Sequence, residues 1–325
     1  MALALRAALT IRYCVLSIVI ITRNTRELLQ SLLSSIEADP SLRAAAGEVI
    51  VVDNGSTDGT GAMIADRFPL VSVIENKENR GFAAAANLGY RCSSGEFVLL
   101  LNSDTRLIAG ETAKMLAYME REPRVGIAGP QLVYEDMRPQ RSFALTPSLA
   151  LELLPRSLLE RLLPGRFRTK GRGLSTPTDV ESLIGAAMLV RRAVLDVLDG
   201  FDERFFFYLE ETDFCLRAGK IGYRVVFFPG ARLIHLQGKT VRQSWGRGRI
   251  EYSISLYKFL QKYRSGLYYR TFVAVRAGKA VLFLLPVTLL PFFLFGKSIR
   301  RKYSYHIRLL TWHLRGCPEG AGLRL

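Results

Sequence analysis

From Val15 to Ala128 the chain alternates between short apolar runs and helical patterns, and this alternation restricts its fold more than any other feature. Strand-like runs stand at Val15 to Ile21, Glu48 to Val52, Val71 to Ile74, Phe97 to Leu101 and Val125 to Ala128. Between the first two, Leu28, Leu29, Leu32, Leu33 and Ile36 recur at helical spacing on one face. Further helices are expected from about Thr60 to Phe68, Phe82 to Ser93 and Ala109 to Glu122. Repeated strand-helix-strand units with short connections imply an α/β fold, a mostly parallel sheet with helices on both faces. Right-handed crossovers bring the strand ends to one edge, which is where open α/β sheets bind ligands.

The residues that close these runs are short and polar. The first ends at Thr22, Arg23 and Asn24, the second at Asp53 followed by NGSTDGT, and the fourth at Asn102, Ser103 and Asp104. Asp53 and Asp104 are therefore two carboxylates expected to face one cleft, although either could instead cap the helix that follows. No GxGxxG follows the first run and no GxxxxGK[ST] occurs anywhere, which argues against a dinucleotide fingerprint and a P-loop.

The pattern weakens from 130 to 179, where Leu151, Leu153, Leu154, Leu158, Leu159, Leu162 and Leu163 suggest a short helical insertion bounded by Pro147 and Pro164. It reads as a variable lid or acceptor-facing segment. Val180 to Arg191 is a strand approach with a Gly-Ala-Ala kink, where small residues permit close approach. Next comes GFDERFFFYLEETDFCLR, Gly200 to Arg217, with an aromatic run and then Glu210, Glu211 and Asp213 at a helix start. The positive end of the helix dipole favours acids there, but three beside an aromatic patch also suggest a carboxylate acting as a base. Strands at Tyr223 to Phe228 and Ala231 to His235 follow, and His235 is one of three histidines in the chain.

The formal charge of +16 could suggest nucleic acid, but it is concentrated at one end. From Lys239 onward there are 17 lysines and arginines against two acids, Glu251 and Glu319, so the first 238 residues are nearly neutral. The basic region also holds an uncharged apolar stretch, Ala280 to Phe295, broken by Pro286 and Pro291. At about 24 Å as a straight helix it is short for a hydrocarbon core of about 30 Å, which favours an interfacial or re-entrant segment. An apolar core helix or a dimer surface is the other reading. Flanking Lys279 and Lys297 suit an anionic lipid surface. The N-terminal stretch carries Arg6 and Arg12 and no clear cleavage site, so it is not expected to be a signal peptide. Cys14, Cys92, Cys215 and Cys317 lie far apart without CxxC spacing, which fits a reducing compartment rather than a zinc or disulfide framework.

Taken together, VIVVDNGSTDGT, ENRGFAAAANLG, FVLLLNSDT, GFDERFFFYLEETDFCLR and RVVFFPGARLIHLQG resemble glycosyltransferase family 2, most closely its bacterial rhamnosyltransferase-like members. The resemblance runs in order and spacing from about Val15 to Gly238. It implies a GT-A, Rossmann-like catalytic domain over 1–238 with a variable insertion at 130–179, followed by a basic, apolar helical tail over 239–325. It also implies inverting transfer of a rhamnose-like deoxyhexose or other hexose from a dTDP- or UDP-linked donor, assisted by Mn2+ or Mg2+. The acceptor would be a lipid-linked or polysaccharide hydroxyl, and the location the cytoplasmic face of a bacterial plasma membrane. By position, Asp53 matches the nucleotide-base contact, with Thr22 and Asn24 beside it. Asn79, Gly81, Asn87, Asn102 and Ser103 border the donor. Asp104 matches the last acid of a DxD-like metal motif, and His235 a position that completes it. Glu211 stands where the base is usual, with Glu210 and Asp213 as its alternatives and Asp202, Glu210 and Asp213 as acceptor-side candidates. Arg23, Asn102 and Glu211 depart from the common pattern, which has an aromatic residue, an acid and Asp at these positions. Two other classes fit less well. A nucleotidyltransferase would need a Gly-rich phosphate loop that LSIVIITRNTREL lacks, and a non-catalytic membrane adaptor has no use for Asp104, Glu211 and His235.

Overall fold

A computed structural model of the chain describes residues 15–163, 174–236, 245–288 and 296–324. Strands β1 (Leu16–Thr22), β2 (Ala46–Asp53), β3 (Ser72–Glu75) and β4 (Phe97–Asn102) form the parallel half of a nine-stranded sheet. Helices α1 (Arg26–Glu37), α2 (Pro40–Ala45), α3 (Thr60–Arg67) and α4 (Phe82–Arg91) connect them. Each strand lies within about two residues of its expected place; for β1 and β4 this is because a β-branched or leucine-rich run covered on both faces has few alternatives, whereas β3 is a largely exposed edge strand. Leu16, Ile18 and Ile20 of β1 point to one face with α1 and α3, whereas Val19 and Ile21 point to the other with α4. This period of two produces three layers.

Beyond β4 the chain is less regular. Ser103 and Asp104 turn into a short β5 (Thr105–Leu107), so the fourth apolar run ends as a strand at Asn102. After α5 (Glu111–Arg121), β6 (Val125–Val133) runs past the expected Ala128 and pairs in parallel with β11 (Arg224–His235). The two strands expected at Tyr223–Phe228 and Ala231–His235 are one, β11, with its register shifted between Phe228 and Arg232. In between lie β7 (Phe143–Ala144), α6 (Leu149–Leu153), α7 (Arg156–Leu162), β8 (Thr178–Asp179), β9 (Ser182–Leu183) and β10 (Ala187–Arg191). Strand β10 enters antiparallel between β4 and β6. Helices α8 (Arg192–Leu198) and α9 (Glu210–Lys220) complete the second face.

The basic C-terminal region is helical, with α10 (Trp245–Tyr263), α11 (Gly266–Thr288) and α12 (Lys297–Leu314). Phe205 and Leu209, just before α9, share an apolar cluster with Ile250, Phe259, Phe272 and Trp312 of these helices. Polar contacts reinforce the join: Ser255 Oγ donates to the Phe207 carbonyl at 2.8 Å, and Lys258 Nζ to the Arg204 carbonyl at 2.9 Å. Among the described residues no helix is long and apolar enough to cross a membrane. The apolar stretch Ala280 to Phe295 lies within α11 up to Thr288, and 289–295 fall outside the described residues. So do the N-terminal segment to Cys14 and the Gly-rich 164–173.

Candidate functional site

Two loops at the carboxyl edge of the sheet are knitted together before any ligand is considered. Thr22 and Asp53 are register partners at the ends of β1 and β2. Asp53 Oδ1 accepts from the Ser56 amide at 2.9 Å, and the Asn24 side chain accepts from the Thr57 amide at 2.8 Å. Asn24 has φ +52°, a left-handed conformation that Asn tolerates better than most residues. Asn79 Oδ1 accepts from Asn54 Nδ2 and from the Gly81 amide. Gly81 itself, at φ +84°, lies so close to the following loop that a Cβ there would come 2.4 Å from the Phe206 carbonyl oxygen. Ser103 is buried and its hydroxyl bonds that of Thr25 at 2.7 Å.

The turn after β4 brings Asp104 to His235 at the end of β11. Strand β5 pairs antiparallel with β11 in the register Thr105 to His235, and the Leu236 amide donates to the Asp104 carbonyl at 2.8 Å. His235 Nε2 then stands 3.5 Å from Asp104 Oδ1. Gln140 holds the other side of the ring. Its Nε2 donates to the His235 carbonyl at 2.6 Å and to the Val133 carbonyl at 3.2 Å, which leaves Oε1 facing His235 Nδ1 at 3.1 Å. An acceptor there directs Nδ1–H toward Gln140 and leaves Nε2 as the nitrogen facing Asp104. Among the described residues no three His, Cys, Asp or Glu side chains converge as a complete metal cluster. Among the described residues Asp104 and His235 bring together one carboxylate and one imidazole.

Glu211 lies across the same stretch of backbone. The Asn102 amide donates to the Ala186 carbonyl at 3.0 Å. At the preceding residue, a Cβ on Gly185 would lie 3.5 Å from the Glu211 Cβ. The glycine expected to permit close approach thus lies against the candidate base, next to the residue that accepts from the Asn102 amide. Two consecutive left-handed residues, Tyr208 (φ +73°) and Leu209 (φ +65°), set up the start of α9. Each costs on the order of 1–3 kcal/mol and persists only where its surroundings hold it. Here Leu209 is anchored in the apolar cluster of the C-terminal helices. Burial pushes the Glu211 carboxyl up to about 7, against hydrogen bonds from nearby backbone and the Arg141 charge. Neighbouring Glu210 is raised as well, by burial and then by the Glu211 charge, and its Oε2 is buried with no hydrogen-bond partner. A proton held on Glu210 removes the cost of an unpaired buried charge.

Three expected site residues have structural partners instead. Asn87 is fully buried, with Nδ2 donating to the Phe201 carbonyl and to Glu203 Oε1 while its Oδ1 accepts from the Phe201 amide. It holds the start of the aromatic loop. Asp213 is completely buried and ion-paired to Arg217 (2.7 Å) and Lys262 (2.5 Å), with the Tyr263 hydroxyl on the same carboxylate. Asp202 pairs with Arg204 and Lys262, and its carboxyl lies far below the usual carboxylate range. These contacts tie α10 to the loop before α9. Gln140, not singled out in the sequence, came from the weakly patterned stretch after Pro130, and nothing local marks it.

The sequence model of glycosyl transferase family 2 matches residues 17–198. The chain belongs to glycosyl transferase family 2. Family 2 transferases invert the configuration of the sugar they transfer, so this chain is an inverting glycosyltransferase. The transferase is 29% identical over 233 residues to an N-acetylglucosaminyl-diphospho-decaprenol L-rhamnosyltransferase of Mycobacterium tuberculosis, covering 67% of this chain and 76% of the relative. It is 26% identical over 193 residues to the dTDP-rhamnosyl transferase RfbF of Shigella flexneri, covering 58% and 60%. Among solved structures it resembles a mannosyltransferase of Pyrobaculum calidifontis in complex with GDP-Man and Mn2+, with TM-score 0.56, 18% identity and 92% and 86% of the two chains covered. It also resembles GalNAc-T7 with UDP, GalNAc and Mn2+, with TM-score 0.59, 15% identity and 94% and 56% covered. At these identities the likeness establishes the fold of the transferase, which is GT-A.

Proposed function

We propose that the transferase moves a rhamnose-like deoxyhexose, or another hexose, from a dTDP- or UDP-linked donor to a hydroxyl of a lipid-linked acceptor in cell-surface glycan synthesis. The printed activities of the two bacterial relatives support this donor and acceptor class. The observation that carries the reading is the backbone step at Gly185–Ala186, with Glu211 against one residue and the Asn102–Asp104 turn bonded to the next. A base and a diphosphate-binding turn on adjacent residues are the geometry that displacement at an anomeric carbon needs.

Asp53, with Thr22 and Asn24 beside it, receives the nucleotide base in this reading, while Asn79, Gly81, Asn102 and Ser103 shape the wall along the ribose and diphosphate. Asp104 Oδ1 and His235 Nε2, 3.5 Å apart, supply an oxygen and a nitrogen donor. This pair suits Mn2+ or Mg2+ when donor phosphate oxygens complete the set, the imidazole favouring Mn2+. The cation, once bound, would neutralise charge developing on the leaving nucleoside diphosphate. Glu211 takes the proton from the acceptor hydroxyl as that oxygen attacks the face opposite the leaving group. A carboxyl raised to about 7 is a stronger base than an ordinary one yet still ionised in part at neutral pH. Glu210 serves in its neutral form, so that it does not compete for the proton. No nucleophilic side chain is needed. The basic C-terminal helices hold the catalytic domain at an anionic membrane surface, where about 1 kcal/mol per basic residue is available.

The test is donor hydrolysis across dTDP-, UDP- and GDP-sugars with Mn2+, Mg2+ or chelator. Metal-dependent turnover confined to dTDP- or UDP-sugars supports the assignment. Equal rates in chelator, or turnover of GDP-sugars alone, refute it.

A further inference from the structure

The described surface is uneven in one respect: its exposed leucines are concentrated in two elements that touch. In the insertion, Leu153, Leu154, Leu158, Leu162 and Leu163 are each 40 to 62% exposed, whereas Leu159 alone is buried and anchors α7. On α11, Val281, Leu282 and Leu285 are 44 to 68% exposed and fall on one helical face. Polar contacts join the two. The Leu149 amide donates to the Tyr268 hydroxyl at 2.7 Å, Lys279 Nζ donates to the Glu152 carbonyl, and Glu152 Oε1 lies 3.9 Å from Arg276 Nε and 3.5 Å from Lys279 Nζ. As α6 advances from Leu149 to Glu152, its partners on α11 advance from Tyr268 to Lys279. Leu153 and Leu154 are therefore carried toward the turn that bears Val281 and Leu282.

We propose that this leucine surface, α6 and α7 together with the outer face of the end of α11, is the face on which the transferase lies in an anionic lipid bilayer. Exposed apolar area gathered on elements in contact points to an interaction site. Its surroundings select among partners. The region from Lys239 on, to which α11 belongs, holds 17 lysines and arginines against two acids, and α6 and α7 add two of each sign, Glu152, Glu160, Arg156 and Arg161. Of the two acids beyond Lys239, Glu251 is buried and Glu319 is paired with Lys258 and Arg324. A second copy would bring the same positive charge against itself, whereas anionic headgroups neutralise it while acyl chains receive the leucines. The surface is also close to the chemistry along the chain. Segment 145–163 follows β7, which pairs with β9, and β9 leads directly to the Gly185 that contacts Glu211. An acceptor can then keep its lipid in the bilayer while its sugar end reaches the cleft. The proposal rests on the reading that the acceptor is lipid-linked.

The experiment is flotation of the full chain with vesicles of phosphatidylcholine alone and vesicles containing phosphatidylglycerol, beside the triple variant Leu153→Ser, Leu158→Ser, Leu162→Ser and a matching triple Leu→Met variant. Metal-dependent donor hydrolysis without vesicles and light scattering are measured on all three proteins. The expected result is binding of the native chain to phosphatidylglycerol vesicles, weakened by at least about ten-fold in the serine variant and retained in the methionine variant, with donor hydrolysis unchanged. Flotation of the serine variant equal to native would overturn the proposal, as would a native dimer that the serine variant converts to monomer without loss of flotation. Absent donor hydrolysis in the native chain would count against the transfer reading and leave the flotation result standing.

Discussion

His235 Nε2 lies 3.5 Å from Asp104 Oδ1 because Gln140, 95 residues earlier in the chain, grips both the ring and the carbonyl of His235. A partner behind a ligand imidazole fixes its tautomer and direction, and its loss typically lowers metal affinity about 10- to 100-fold. Gln140→Leu is accordingly expected to raise the Mn2+ concentration needed for half-maximal donor hydrolysis by that factor. Its maximal rate at saturating Mn2+ should fall less. An unchanged Mn2+ dependence would remove Gln140 from the site.

The pH dependence has a definite sign. Glu211 must be ionised to accept a proton, and burial pushes its carboxyl up to about 7. Transfer measured under acceptor-limited conditions should therefore rise with pH and level off above about 7. A profile already flat from pH 5 would mean that the base is an ordinary, solvated carboxylate elsewhere.

Gly81 tests how the donor wall depends on the aromatic loop. A side chain there is opposed both by φ +84° and by the Phe206 carbonyl 2.4 Å from the added Cβ. Gly81→Ala should destabilise the fold by more than about 1 kcal/mol and weaken donor binding, as read by thermal unfolding and nucleotide titration. Full stability and affinity in that variant would show that the loop yields freely.

Asp213 separates a structural acid from an acceptor-binding one. Removing it takes the shared, fully buried carboxylate from Arg217 and Lys262, of which Lys262 keeps Asp202 and Arg217 the Leu198 and Gly200 carbonyls, at a cost of about 1–3 kcal/mol. Asp213→Ala should lower the urea midpoint strongly. A variant with native stability but a raised acceptor KM would restore Asp213 to the acceptor side.

What was legible in the sequence follows from the range of the interactions involved. The ends of β1, β2 and β4, with Thr22, Asp53 and Asn102, could be read because a buried parallel strand is a local apolar run that stops on polar residues. Asp104, Glu211 and His235 stood out in the sequence as motif positions, and the fold brings Asp104 to His235 and Glu211 to Gly185. The structural contacts of Asn87, Asp202 and Asp213 were not legible, since beside the local partners Arg204 and Arg217 they rest on residues 114, 60 and 49 positions away, and an acid with a distant lysine looks the same in sequence as an acid facing substrate. The C-terminal region read as a basic tail because charge dominates its composition, yet Ile250, Ile254, Tyr257 and Leu260 form a helical stripe that packs against Phe205 and Leu209. Gln140 carried no signal, because its role depends on the pairing of β6 with β11.

The most direct test of the account is the variant Glu211→Gln, assayed for single-turnover sugar transfer and, in parallel, for donor affinity in the presence of Mn2+. Glutamine keeps the shape and removes the base. The account predicts an unchanged donor Kd and transfer slowed by about 10²- to 10⁴-fold. Transfer at the native rate, or a loss of donor binding that accounts for the whole decrease, would contradict it.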